Sequence, residues 1–266
     1  MNEHNQSNIP PVPPHLFGVV NNAKGAFRFL GQELGYIMRL AAPVMCLKIA
    51  MSAAQQSMSS DASSLEIFLW QLPGNIMLGW LICSIARLMI LGERLQNLPI
   101  TDVRFMQYRA GLIKTSIFLG LLIHAGWTMV TYVFENSIDF STPEEASGTD
   151  LGIMISVLVI AFWGVRLLLL PLIAAVDYPL RTFIQQIQGL RISVNLTGLY
   201  LLCALPILLF AHAFLGTALS SLAGAPDVQR MLFFIALQPV SVFVDIILTI
   251  GFVLALKEML GQNKKV

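Results

Sequence analysis

The chain has 266 residues, of which 56% are hydrophobic and only 12% are charged. Water-soluble domains carry about 25% charged residues, so this composition excludes an ordinary soluble domain and points to lipid as the solvent. The net charge of +1 comes without a basic stripe interleaved with aromatics, which argues against a nucleic-acid partner.

Residues 1–16 (MNEHNQSNIPPVPPHL) lack the basic start and apolar core of a cleavable signal. Pro10, Pro11, Pro13 and Pro14 predict an extended, disordered leader. From Phe17 to Leu34, apolar residues at Phe17, Val20, Phe27, Leu30 and Leu34 alternate with Lys24 and Arg28. That spacing predicts an amphipathic helix lying along the membrane surface.

The first membrane span is expected at Leu34–Ala54. Arg39 can snorkel to its edge, whereas Lys48 lies deep and requires a protein or water neighbour. The second span, Ile67–Leu91, contains Pro73, Gly74 and Asn75. A Pro-Gly pair removes a backbone hydrogen bond, which serves either as a packing kink or as a substrate site in a transporter. A basic stretch, Gly92–Ala110, leads to the third span at Gly111–Phe134. The connector that follows holds Glu135, Asp139, Glu144, Glu145 and Asp150 without a basic residue.

The fourth span, Leu151–Ala175, is about the 20 or more residues that a helix needs to cross the hydrocarbon. It contains Arg166, where a charge costs about 2.5 kcal/mol or more unless it is partnered. After a polar turn come a fifth span, Leu196–Leu215, and a sixth, Met231–Leu256, which carries Asp245. The expected organisation is all-α: a six-helix membrane domain over residues 17–258, as three hairpins, and a short basic tail at 259–266. Amphipathic cytoplasmic helices are expected before spans one, three and five.

Six spans place both termini on one side. Of the 16 Lys and Arg residues, the stretches on that side hold all but Arg230, Lys48 and Arg166. By the positive-inside rule both termini are expected in the cytoplasm. The stretches before spans one, three and five also resemble one another: Arg28-Phe29-Leu30 with Gly35, Arg104-Phe105-Met106 with Gly111, and Phe183-Ile184 with Gly189. Arg87, Arg166 and Asp245 stand 79 residues apart. These matches fit either a triplicated unit or chance.

Two segments carry a family resemblance: FWGVRLLLLPLIAAVDYP with RISVNLTGLY, over residues 162–200, and LGERLQNLPITDVRFMQYRAGLIKTSIFLGLL, over residues 91–122. They resemble a six-span bacterial inner-membrane group that includes YciC-like proteins and the membrane domain of some glycerophosphodiester phosphodiesterases. The resemblance implies six helices in a bacterial inner membrane. It implies no activity, because the phosphodiesterase chemistry belongs to a separate soluble domain.

The candidate intramembrane polar site comprises Arg166, Asp245, Lys48, His124 and His212. Counted from the outer ends of spans four and six, Arg166 and Asp245 lie at similar depth, about 20 Å down. Such a pair would either fix helix register or form a substrate or proton site. His124 and His212 lie in spans three and five, where a histidine either relays protons or hydrogen-bonds between helices.

Cys46, Cys83 and Cys203 all fall in apolar segments, which argues against a disulfide framework or zinc site. No HExxH, GxSxG, Walker A or GxGxxG motif occurs, so no catalytic, metal or cofactor-binding residue is assigned. The function expected is transport of a small or lipid-like molecule, or envelope maintenance, without enzymatic activity. The rivals are an intramembrane enzyme acting on lipid or peptide, and a membrane scaffold. Expected partners are membrane lipids, and a second copy or another membrane protein. A polar cavity reaching Arg166 or Asp245 would favour transport, a nucleophile or metal cluster at the membrane edge an enzyme, and a solid bundle a scaffold.

Overall fold

In hydrocarbon an apolar run can satisfy all its backbone N–H and C=O groups within one segment only as a helix. The computed structural model is correspondingly helical, with no strand among the described residues. Those residues are 17–55, 64–94, 101–137, 155–156, 159–179, 183–184, 187, 189–220 and 226–260. The expected leader, the acidic connector from 138 onward and the last six residues of the tail lie outside them.

The helices are α1 (Val19–Gln55), α2 (Ser64–Leu91), α3 (Val103–Ser137), α4 (Leu170–Ala175), α5 (Leu190–Ser220) and α6 (Pro226–Met259). Among the described residues, four stretches are long and apolar enough to cross a membrane: Val19–Ala54, Leu69–Leu91, Leu190–Leu215 and Ile235–Met259. A shorter apolar helix, Val159–Ala175, includes α4 and a 3₁₀ stretch over Val165–Leu169.

The 37 residues of α1 would extend about 55 Å if straight, well beyond the roughly 30 Å of a hydrocarbon core. The helix breaks instead at Glu33, whose φ of −106° and ψ of 15° leave helical geometry. This break falls where the surface stretch was expected to give way to the first span. Arg94 holds the Glu33 carboxylate from Nη2 at 2.8 and 2.9 Å, and its guanidinium lies 5.1 Å from the Tyr36 ring centroid. Before the third span the expectation needs correction. Residues 103–110 run unbroken into α3, so among the described residues they form no separate surface helix. Before α5, Phe183 and Ile184 are helical and Phe183 is fully buried, as an apolar anchor under that turn.

Helices α2 and α6 form the centre, each two-thirds buried over its apolar window, while α1 and α5 turn most of theirs outward. Leu81 and Ile85 of α2 meet Ile246, Ile247, Ile250 and Val253 of α6 in one core cluster. Outward, α5 presents Leu205, Leu209, Phe210 and Phe214, and α3 presents Ile113, Ile117 and Leu121. Apolar faces this extensive suit lipid rather than water.

Two glycines set how closely helices cross. A Cβ on Gly79 would lie 2.7 Å from Ser116 Cα, and one on Gly111 would lie 2.7 Å from the Ala175 carbonyl oxygen. Small residues at such crossings let backbones approach where lipid supplies no hydrophobic drive for association.

Candidate functional site: a polar cavity among apolar helices

Gly74 lets α1 approach α2. Its absent Cβ leaves room for Met51 Sδ at 3.1 Å and Lys48 Cγ at 3.6 Å from where that atom would stand. Pro73 sits within α2, which stays helical across it, and so this Pro-Gly step is a point of close approach rather than an interruption. Beside it a partly open cavity of about 200 Å³ lies between α1, α2, α3 and α6. Lys48, Met51, Ser52, Gln71, Gly74, Asn75, Ile123 and Gln238 line it. Most of these are polar, at a depth where an unsatisfied polar group costs several kcal/mol.

The groups are sparsely satisfied by one another. Gln238 Nε2 donates to Ser52 Oγ at 3.5 Å, the long end of a hydrogen bond. Asn75 is 6% exposed, and its Nδ2 has no partner. Lys48 Nζ stands 3.7 Å from Asp245 Oδ2, the two side chains being 18% and 33% exposed. That distance exceeds the 2.7–2.9 Å typical of a charge-assisted hydrogen bond, so the ion pair is loose.

Asp245 thus pairs with Lys48 and not with Arg166. Arg166 is committed to the start of α5: Nε donates to Ser193 Oγ at 2.5 Å and Nη2 to the Gly189 carbonyl at 2.6 Å. Its guanidinium also lies 4.4 Å from the Trp163 ring centroid. The expected Arg166–Asp245 pair fails because depth does not specify direction. The Val165–Ala175 segment packs against α2, α3 and α5, whereas α6 packs against α1, α2 and α5.

No protein-family model, curated protein or solved structure matches this chain. The site is therefore read from its own chemistry.

The two histidines stay apart from the cavity. His124 follows Ile123 on α3 but is not among the lining residues. His212 is exposed on α5, edge-on to Phe233 with centroids 6.0 Å apart. Among the described residues, no three of His, Cys, Asp and Glu gather as a metal site would require. Sequence reasoning missed Ser52, Gln71 and Gln238 as members of the site. The available signal was an amide or hydroxyl within an apolar run, at positions that only packing brings together.

Arg87 stands out in the sequence only by its charge and its spacing, yet it is 2% exposed and joins three helices. Its Nη2 and Nε meet Glu93 Oε2 at 2.7 and 2.8 Å, and Nη1 donates to the Ala175 carbonyl at 3.0 Å. Nη1 also lies 3.5 Å from the position a Cβ on Gly111 would take, and Thr115 hydrogen-bonds the Gly111 carbonyl at 2.7 Å. Arg166 differs in bonding Gly189 and Ser193 directly, whereas the bonds of Arg87 go to Glu93 and the Ala175 carbonyl. Asp245, 79 residues further on, carries the opposite charge and faces Lys48.

Proposed function

We propose that the chain is a multi-pass protein of a bacterial inner membrane that takes a small polar or lipid-like molecule into this cavity and passes it on chemically unchanged. Six spans in three hairpins, α1 with α2, α3 with the segment ending in α4, and α5 with α6, accommodate the helices. This is also the number implied by the resemblance to YciC-like proteins. Arg87, Arg94, Lys114 and Lys257 gather at one end of the bundle, tied respectively to Glu93, Glu33, Asp177 and the Met89 carbonyl. By the positive-inside rule that end, with both termini, faces the cytoplasm.

The observation carrying the reading is the cavity itself: a lysine, three amides and a hydroxyl among helices otherwise built for lipid. Lys48 lies 15 residues beyond Glu33 and Asn75 12 residues before Arg87, or about 22 and 18 Å along their helices. The cavity accordingly opens toward the outer half of the membrane.

Thiol labelling tests this. Cys46 is exposed and is replaced by alanine, while Cys83 and Cys203 are buried and remain. Ser52→Cys in that background is expected to react with a membrane-impermeant thiol reagent added outside intact spheroplasts. A thiol at 52 that stays unreactive, or reacts only from the cytoplasmic side, overturns the reading.

A further inference from the structure

Lys48 Nζ and Asn75 Nδ2 are both hydrogen-bond donors at the cavity wall. The first is held only by a loose ion pair and the second is buried without a partner. Donors left in this state ask for an acceptor from outside the chain. The nearest carboxylate, Asp245, is not part of the lining: it pairs with Lys48 from α6. With the ammonium and three amides in the lining and no carboxylate among the lining residues, the wall presents a cationic, donor-rich face.

Charge conservation decides the rest. Lys48 and Asp245 together are neutral. An anion drawn to Lys48 leaves the site with one excess negative charge, which an apolar surround disfavours strongly. A zwitterion could cancel it only by placing its cation beyond Lys48. The groups bearing on Asp245 are Lys48 from α1 and the Tyr200 phenol from α5, while α2 brings the amides of Gln71 and Asn75 to the cavity. Neither Tyr200 nor the amides can replace the lost ammonium as a counter-ion.

Building on the proposed binding role of this cavity, we infer that it takes a small monoanion, its oxyanion held between Lys48 and Asn75, and that Asp245 takes up one solvent proton as Lys48 turns to the ligand. One negative charge and one proton enter together, so the site stays neutral. The volume of about 200 Å³ suits a molecule of roughly four to ten non-hydrogen atoms.

The full chain, purified in detergent, is tested with acetate and methanesulfonate against the neutral probe acetamide. Binding is read from the rise in unfolding midpoint with probe concentration, between pH 6 and pH 8. Both anions are expected to bind and acetamide not. Their apparent Kd should rise with pH, by up to tenfold per unit for one linked proton. Asp245→Asn keeps a neutral side chain in place, so it should bind the anions with no pH dependence.

Lys48→Gln combined with Asp245→Asn leaves no orphaned charge and should fold without binding either anion. Acetamide binding with no response to the anions overturns the inference and leaves the cavity reading intact. Equal pH dependence in wild type and Asp245→Asn overturns the proton step. No response to any probe overturns the inference, and thiol labelling at position 52 then decides separately whether the cavity reading survives.

Discussion

Removing one partner of the Lys48–Asp245 pair leaves the other uncompensated in the membrane layer. At 3.7 Å and an effective dielectric constant near 20, the gross Coulomb attraction is about 4.5 kcal/mol. Truncating one member of a buried pair costs about 3–5 kcal/mol, while replacing both members by apolar residues is close to neutral. Asp245 retains 33% exposure, so the pair is only partly buried and the expected loss for Lys48→Met falls to about 2–3 kcal/mol. Lys48→Met with Asp245→Leu should recover most of it. The assay is a double-mutant cycle on unfolding by sodium dodecyl sulfate in mixed micelles. The coupling between 48 and 245 should be about 2 kcal/mol. A parallel cycle on Arg166→Met and Asp245→Leu should be additive within about 0.5 kcal/mol, since the two share no contact. Additivity at 48 and 245, or strong coupling at 166 and 245, would refute the assignment of partners.

Three further outcomes are expected. Gly79→Val drives a side chain into Ser116, whose Cα lies 2.7 Å from the new Cβ, and should cost about 1–3 kcal/mol in the same unfolding assay. Gly126→Ala meets nothing within 4 Å and should gain up to about 1 kcal/mol from helix propensity. Arg87→Leu strands the Glu93 carboxylate and the Ala175 carbonyl and should cost about 3–5 kcal/mol, seen as loss of monodisperse protein on size exclusion.

A last prediction concerns Tyr108, at the start of α3, whose phenol shares a 2.6 Å hydrogen bond with Ser84. Burial pushes this phenol well above its ordinary value of 10, with the Ser84 bond partly opposing the rise. Above pH 10 the unfolded chain loses that proton while the folded chain keeps it. Stability therefore falls as pH rises, by up to about 1.4 kcal/mol per unit. Tyr108→Phe should flatten that loss between pH 10 and 11 in thermal unfolding, at a cost near 1 kcal/mol at neutral pH.

Much of the helical layout is legible in the chain because lipid leaves an apolar run so few alternatives. The break at Glu33 falls at the boundary drawn from the change in hydrophobic pattern at Leu34. The need of Lys48 for a neighbour follows from its depth alone, and a neighbour is present in Asp245. Which neighbour was not legible. Arg166 and Asp245 match in depth, but the helix carrying Arg166 turns toward α5, where Gly189 and Ser193 hold the guanidinium. The polar wall was equally hidden: Ser52, Gln71 and Gln238 come from three helices and share neither spacing nor motif.

Composition and periodicity by themselves determined an all-helical chain for a lipid solvent, because both follow from local backbone satisfaction and the transfer cost of each residue. Pairing was settled only in three dimensions. The direction a side chain faces depends on how helices rotate and cross, and glycines such as Gly74, Gly79 and Gly111 set those crossings through contacts with residues distant in the chain. Hence a lysine and a set of amides wall one cavity, the aspartate pairs with that lysine from outside the lining, and the arginine of the fourth segment is held by Gly189 and Ser193 instead.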